Sequence, residues 1–400
     1  MADSLLATER ESTLRAAACA KVYGAFLREG IAEFELAGTS GYGYHDAARE
    51  HYEALIARLY SAERALARMT IVSGTHAIVL ALAALTSPGG RILVATGRPY
   101  DTLHNALSQA PGSLVDHGIV YDEVALDQAG RVDFAGVTSA LQDSTRPAVQ
   151  VVFVQRSRGY APRPSLGIAD IAALVTSIRA VAPHAIIAVD NCYCELVEEQ
   201  EPIEVGADLV MGSLIKNLGG GLAPTGGYVA GRAEYIERVA TRLYAPGLGD
   251  ALGPTLGLGR LFFQGLFMAP TVVWEAIRGL NFAAALYAQL GFRVDPLPHA
   301  PRRDIVQAIR LGSLAQLEHF AQALQPALPI NARYRPEAGP VPGYRDQVIM
   351  SSGSFIGGAT IELSCDAPLR APYEMYLQGG LSAEHVVVGA LLTAQSLGKE

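Results

Sequence analysis

Three stretches of this chain are apolar almost without interruption: AVQVVFVQ (148–155), AIIAVD (185–190) and ADLVMGS (207–213). A β-branched run of that length, bounded by helix-length segments, reads as a strand covered on both faces, and such strands belong to parallel sheets with helices packed on either side. Helical periodicity over 168–181 separates the first two runs. The alternation extends upstream through the strand RILVA (91–95), the helical TLHNALSQA, a short strand at GIVYD (118–122) and a helix near 132–142. Still earlier, HDAAREHYEALIARLY and THAIVLALAALTS read as two helices flanking a tight turn at MTIVSG, the second ended by Pro88-Gly89-Gly90. The fold class that follows is α/β, with a mostly parallel central sheet.

After GGYVAGR (226–232) the pattern changes to long helical runs, 233–244 and roughly 255–291, the latter preceded by Pro254 and containing Pro270. A Pro-rich stretch (326–342), two β-type runs, QVIMSSGS and ATIELSC, and a helix from Ser382 complete the chain. Three regions are therefore expected: an N-terminal helix (about 12–28) and interface arm over 1–45, a large α/β domain over 46–290, and a smaller α+β domain over 291–400.

Composition removes several classes of function. Apolar residues make up 50% of the chain and charged ones 18%, so it can bury enough surface to fold. A net charge of -8 leaves no basic excess for phosphate backbones or anionic lipid, which argues against nucleic-acid and membrane partners. The longest apolar stretch, Ala77 to Leu85, falls far short of the roughly 20 residues that span a bilayer. The first ten residues carry acids where an export signal needs a basic region, so a cytoplasmic protein is expected. Four cysteines are too few for a disulfide scaffold, and Cys192-Tyr193-Cys194 lacks the spacing and further ligands of a zinc site. No metal is expected, and the thiols read as structural.

Four features sit at the ends of the assigned elements: Ser73-Gly74-Thr75-His76 entering a helix, Tyr100 in GRPYDT, Asp190 closing AIIAVD, and Lys216 in GSLIKNLGGG. A helix N-terminus offers free N–H groups to a phosphate. An Asp at the carboxyl end of a buried strand lies where open α/β sheets place ligands, and suits a cationic ring nitrogen. A partly desolvated lysine forms Schiff bases with carbonyls. Each has a plain alternative: Ser73 as a helix cap, Tyr100 as core, Asp190 as a cap, Lys216 as a solvated loop cation. Together they match the phosphate, ring nitrogen, aromatic face and aldehyde of pyridoxal 5'-phosphate.

The segments TSGYGYHDAARE, IVSGTHAI, TGRPYDTL, QRSRGY with RPSL, VDNCY, GSLIKNLGGGLAPTGGYVAG, YAPGLG, RLFFQGLFMAP, SSGSFIGGATIELS and APLRAPYEMYLQGGL carry a wider likeness. Running from about residue 38 to 385, they resemble the fold-type I pyridoxal-phosphate enzymes of cysteine and methionine metabolism. More narrowly, they resemble the methionine gamma-lyase-related branch known as aluminium resistance proteins. The resemblance implies a fold-type I architecture and a carbon–sulfur lyase, or a related β- or γ-elimination or replacement enzyme. It implies Lys216 as the internal-aldimine lysine and proton carrier, Asp190 against the pyridine nitrogen, and Tyr100 stacked on the ring with a part at the leaving group. It implies Gly74, Thr75 and Ser213 at the phosphate, with Tyr42 or Tyr44 reaching it from a neighbouring subunit, and hence a homodimer or homotetramer. Arg370 in APLRAPY would grip the substrate carboxylate bidentately, with Arg156 and Arg158 as further substrate-facing arginines.

Three positions depart from the family pattern: Cys194 in place of glycine, Ala161-Pro162 in place of an aromatic, and Asp250 in place of lysine. The first two lie near the expected pocket and bear on substrate; Cys194 reads either as a packing residue or as a thiol near bound substrate. Transamination, racemisation and a pyridoxal-phosphate-binding protein without turnover are the competing functions. A P-loop is not among them, since GGGLAPTGG lacks the Gly-Lys-Ser/Thr ending.

Overall fold

The computed structural model describes residues 8–40 and 42–397. The first seven residues, on which the export reading partly rests, and Gly41 of the TSGYGYHDAARE segment lie outside the described residues.

Seven strands form the large sheet: β1 (Arg64–Arg68), β2 (Arg91–Val94), β3 (Val120–Glu123), β4 (Val149–Gln155), β5 (Ile186–Asp190), β6 (Leu209–Ser213) and β7 (Gly227–Gly231). Their order is β1-β7-β6-β5-β4-β2-β3. Neighbours from β3 across to β6 run parallel, and β7 runs antiparallel to both β6 and β1. Side chains of the buried strands alternate between two cores. Leu93, Val152, Val154, Ile187, Val189 and Val210 face one core; Ile92, Val94, Val151, Phe153, Ala188 and Leu209 face the other. The first core is closed by α1 (Glu9–Glu29), α2 (Ala47–Leu59), α5 (Phe134–Gln142) and α6 (Ile168–Val181), the second by α3 (Gly74–Leu85), α4 (Asp101–His104) and α7 (Ala233–Leu243). A sheet apolar on both faces requires such a three-layer arrangement.

The 31-residue α8 (Gly259–Gln289) continues through Pro270. Its first half packs into the core of α1 and α2, and from Val272 onward it packs against a second sheet. That sheet, β10-β11-β12-β9-β8, comprises β8 (Arg293–Asp295), β9 (Val306–Arg310), β10 (Val348–Ser351), β11 (Ser364–Pro368) and β12 (Glu374–Gln378). It is antiparallel throughout and packed by α9 (Leu314–Leu324) and α10 (Ala383–Leu397). No described helix is long and apolar enough to cross a membrane.

Two expectations are corrected. A strand, β1, lies between the two helices that were to flank only a turn; its sequence RALAR places Ala65 and Ala67 on one core and Leu66 on the other. Period-2 burial is masked there by the arginines, one of which, Arg68, is buried because Glu53 and the carbonyls of Asp250 and Leu252 take up its donors. The run ATIELSC is also not the strand: β11 begins at its penultimate residue, because Glu362 turns back to accept the N–H groups of Phe355 and Ile356.

Candidate active site

The parallel strands all end on one edge of the sheet, the position at which open α/β sheets bind ligands. Gln155, Asp190 and Ser213 are the last residues of β4, β5 and β6, and Gln155 lies in register with Asp190. A cavity of about 290 Å³ opens there, and its wall includes Ser73, Gly74 and Thr75, Tyr100, Asp190, Ser213 and Lys216. All four features read from the sequence thus converge on one space.

The local causes are visible. Ser73 caps α3, its side chain accepting from His76 N at 3.1 Å, which leaves the N–H groups of Gly74 and Thr75 without helical partners. A Cβ at Gly74 would lie 3.1 Å from Cys192 Sγ and 3.3 Å from Ser213 Cβ, so this helix start seats closely on the strand ends and a side chain there would press on both. Tyr100 Oη is hydrogen-bonded to Thr75 Oγ1 at 2.7 Å, and its backbone N–H donates to Gln155 Oε1 at 3.1 Å. The loop carrying Lys216 is clamped by Asn217, whose Nδ2 donates to the carbonyls of Tyr193 (3.1 Å) and Glu195 (2.9 Å). Gly220, at φ +52°, completes the turn against α8; a side chain there would run into the Gly265 carbonyl.

Electrostatics separate the groups. Burial pushes the Asp190 carboxyl up, opposed by hydrogen bonds from Cys192 and by the charges of Lys216 and Arg163. Lys216 Nζ lies 4.2 Å from the Tyr193 ring centroid. Burial draws its ammonium down, but Tyr193, Cys192, Tyr100 and Asp190 raise it, and the net direction is up. Burial holds the phenols and the Cys192 thiol above their ordinary values.

The arginines divide. Arg156 does not line the cavity: it is wholly buried, bonded to Leu166 O, Asn191 Oδ1 and Glu198, so the expected substrate contact is replaced by a brace for the segment after β5. Arg158 and Arg370 line an adjoining lobe of about 530 Å³ that shares Tyr100 and Tyr160 with the first. Arg370 Nη1 is paired with Asp346 at 3.0 Å and Asp101 at 3.3 Å. Tyr42 and Tyr44 do not reach the cavity of their own chain; they are exposed and stacked on each other, centroids 5.7 Å apart. Cys194 is buried outside the cavity wall, whereas Cys192 forms part of it. Ala161 and Pro162 line the adjoining lobe, and Asp250 pairs with Arg64. A larger cavity of about 760 Å³, bordered by Glu11, Trp274 and Arg302, lies apart from these groups.

Several site residues were not legible in the sequence. Tyr160, Tyr193 and Tyr344 line the cavity, and Asp366 of β11 is hydrogen-bonded by Tyr160 and by Gln378, burial pushing its carboxyl up to about 6. Behind the Lys216 loop, Tyr60 Oη donates to Tyr228 Oη at 2.7 Å and Tyr228 Oη to Glu195 Oε1 at 2.9 Å, while Glu195 Oε2 is buried without a partner. Burial pushes the Glu195 carboxyl up to about 8. An acid raised on folding binds protons more tightly in the native state, so its stabilisation is complete below about pH 4.5 and is lost as pH rises to about 8. Glu195→Gln is therefore expected to flatten the fall in stability between those pH values. Its advantage over wild type should grow to roughly 2 kcal/mol at the upper end, read by urea unfolding across pH.

A sequence profile of the methionine gamma-lyase family matches residues 5–397. Among solved structures, a candidate cystathionine beta-lyase involved in aluminium resistance from Listeria monocytogenes is 41% identical, with a TM-score of 0.92, covering 97% of this chain and 96% of that one. Among curated proteins, YnbB of Bacillus subtilis is 42% identical over 92% of this chain and 87% of its own length. The L-methionine gamma-lyase of Pseudomonas putida is 30% identical over 54% of this chain and 48% of its own length.

Proposed function

This chain belongs to the methionine gamma-lyase family, and from that premise we propose that it is a pyridoxal 5'-phosphate-dependent carbon–sulfur lyase acting at the β- or γ-position of a sulfur-containing amino acid. The observation that carries this reading is the convergence of Lys216, Asp190, Tyr100 and the start of α3 on one cavity. The residues fit the cofactor. Asp190 is a buried carboxylate with no ion-pair partner among the described residues, suited to a protonated ring nitrogen. The N–H groups of Gly74 and Thr75 with the Ser213 hydroxyl form a phosphate cradle at a helix N-terminus. The Tyr100 ring offers a stacking face, and Lys216 Nζ is the amine that would hold the aldehyde.

Bound there, pyridoxal phosphate supplies an electron sink for bonds broken at the substrate α-carbon. Lys216 Nζ would take the substrate α-proton and return it where the product requires. Asp190 would face the ring nitrogen and favour its protonated form. Tyr100 holds its own proton well past neutrality because it is buried beside Asp190, so its Oη acts as a donor toward the departing sulfur and not as a base. Arg370 exchanges Asp101 and Asp346 for the substrate α-carboxylate. Tyr42 or Tyr44 of a second copy completes the phosphate site, which makes the dimer the smallest competent unit, alone or paired into a tetramer.

The test is to reconstitute the protein with pyridoxal phosphate and supply L-methionine, L-homocysteine, L-cysteine and L-cystathionine in turn, assaying 2-oxo acid and ammonia. Pyruvate marks β-cleavage and 2-oxobutyrate γ-cleavage. A cofactor spectrum that each amino acid perturbs without release of ammonia would move the reading to transamination, where the oxo acid keeps the intact side chain, or to racemisation, where no oxo acid forms.

A further inference from the structure

The second sheet turns its two faces to different neighbours. Cys365, Ala367, Met375 and Leu377 point into the core packed by α9 and α10. The opposite face carries Asp366 and Tyr376, which are direct cross-strand partners, with Gln378 two residues further along β12 and Ala308 and Val306 opposite on β9. Against this face lie Tyr160 and Tyr193, which come from the edge of the first sheet and stand in the wall of the lysine cavity. The Tyr160 ring lies 5.4 Å from the rings of both Tyr344 and Tyr376. Its hydroxyl donates to Asp366, whose Oδ1 also accepts Gln378 Nε2 at 2.8 Å. Gly159, at φ +57°, bends the turn that carries Tyr160, and a Cβ there would lie 3.1 Å from Gln155 Nε2, so the turn is seated tightly on the end of β4.

That turn also meets Arg370, whose Nη2 donates to Tyr160 O at 3.4 Å. Asp366 precedes Arg370 on β11 and Tyr376 follows it on β12, so the hairpin that carries Arg370 touches Tyr160 from both of its strands. We propose that Asp366 and Tyr160 form a clasp between the two sheets that sets where Arg370 stands relative to Lys216, which makes both of them positioning residues for the substrate carboxylate. This deepens the lyase reading and rests on it for the role of Arg370. The clasp is sensitive to pH. Burial pushes the Asp366 carboxyl up to about 6, opposed by Tyr160, Gln378 and the charge of Lys216. The other groups that face it, Tyr160, Tyr193, Tyr344 and the neighbouring Cys365, are held above their ordinary values by burial and keep their protons. Above pH 6 the carboxylate accepts from Tyr160 and Gln378 together; as pH falls through that value it takes a proton, gives up an acceptor position, and the clasp weakens.

The test compares holoenzyme with Asp366→Asn, Tyr160→Phe and the double variant between about pH 5 and about pH 8. With the amino acid that is cleaved, wild type should show KM rising as pH falls through about 6. Asp366→Asn is expected to raise KM by about fivefold at the upper pH, with kcat within about twofold, and to erase the step. Tyr160→Phe, which keeps the ring between Tyr344 and Tyr376, should do the same, and the double variant should be no worse than either single one. A second readout needs no turnover: L-norleucine, which offers the same carboxylate and no leaving group, should bind each variant about fivefold more weakly by calorimetry. A lowered Tm with KM, norleucine affinity and pH profile unmoved makes Asp366 a structural residue and overturns the clasp, as do losses that add in the double variant. If Asp366→Asn does not fold, Tyr160→Phe decides alone. Absence of oxo acid from every amino acid removes the lyase reading, and norleucine then decides the clasp by itself: equal affinity in all four proteins, or no binding, overturns it.

Discussion

Lys216→Ala is expected to lower oxo-acid formation by at least about a thousandfold while changing the stability of the apoprotein little. The two halves of this expectation have one cause. Nζ lies in the cavity wall against the face of Tyr193, and no carboxylate or carbonyl bonds to it among the described residues. Burying an ammonium there costs free energy that no hydrogen bond returns, and the electrostatic pull of the surrounding groups offsets that cost. Alanine removes the cost and its offset together, and it also removes the only side-chain amine among the described residues of the cavity wall. The cradle at Gly74 and Thr75, the Asp190 carboxylate and the Tyr100 ring remain, so the variant should still take up cofactor but show the absorption of an unlinked aldehyde. Calorimetry of both apoproteins, with spectra and oxo-acid assay after reconstitution, checks the prediction. A variant retaining more than a few percent of wild-type turnover would dismiss Lys216 as the proton carrier; a collapse in apoprotein stability would make the lysine a structural residue.

What could be read from the sequence followed the strength of the local signal. β4, β5 and β6 were legible because strands buried on both faces leave continuous apolar runs, and residues at their carboxyl ends must share one edge of the sheet. That inference placed Asp190 beside the Lys216 loop; Ser213, on the same edge, was implied by the family resemblance. α6 was legible over 168–181 for a similar reason, its apolar stripe being uninterrupted. β1 was not, since its arginines are made burial-compatible only by Glu53 and by carbonyls near residue 250, which are distant in sequence. Asp366 was equally hidden: its place beside Tyr160 depends on β11 pairing with β12 and on the second sheet reaching the edge of the first. Arg158 and Arg156, two residues apart after the same strand, looked equivalent as text, yet one lines the outer lobe and the other points into the protein. Alternation along an extended chain sends residues two apart to the same side, but the chain leaves the ladder at Gln155, and the rule ends with it.

That divergence makes Arg156→Ala the sharpest test of structure against sequence pattern. Arg156 has no exposed surface; Nη1 donates to Asn191 Oδ1 at 2.6 Å, Nε to Leu166 O at 3.2 Å, and Nη2 pairs with Glu198. Glu201, also buried, is 3.8 Å away, and Arg156 is the leading charge holding down a carboxyl that burial pushes up. Alanine would take the guanidinium charge from Glu201 and the donor from Asn191 Oδ1, leaving Glu201 only the N–H groups of Asn191 Nδ2 and Leu196, and would open a void the size of the lost side chain. Breaking a buried pair by removing one partner typically costs about 3–5 kcal/mol, which should lower Tm by about 5 °C or more. Because Glu201 is then less opposed, the deficit should widen as pH rises above the unfolded carboxylate range: the folded pKa moves further up, and the stability it confers at low pH is lost with ionisation. Arg156→Met with Glu198→Gln and Glu201→Gln, which removes the charges together, should recover part of the loss. For a substrate-gripping arginine the opposite pattern is required, an elevated KM with Tm unchanged. Thermal melts across pH, set beside KM for whichever thioether is cleaved, separate the two, and a raised KM at constant Tm would return Arg156 to the substrate.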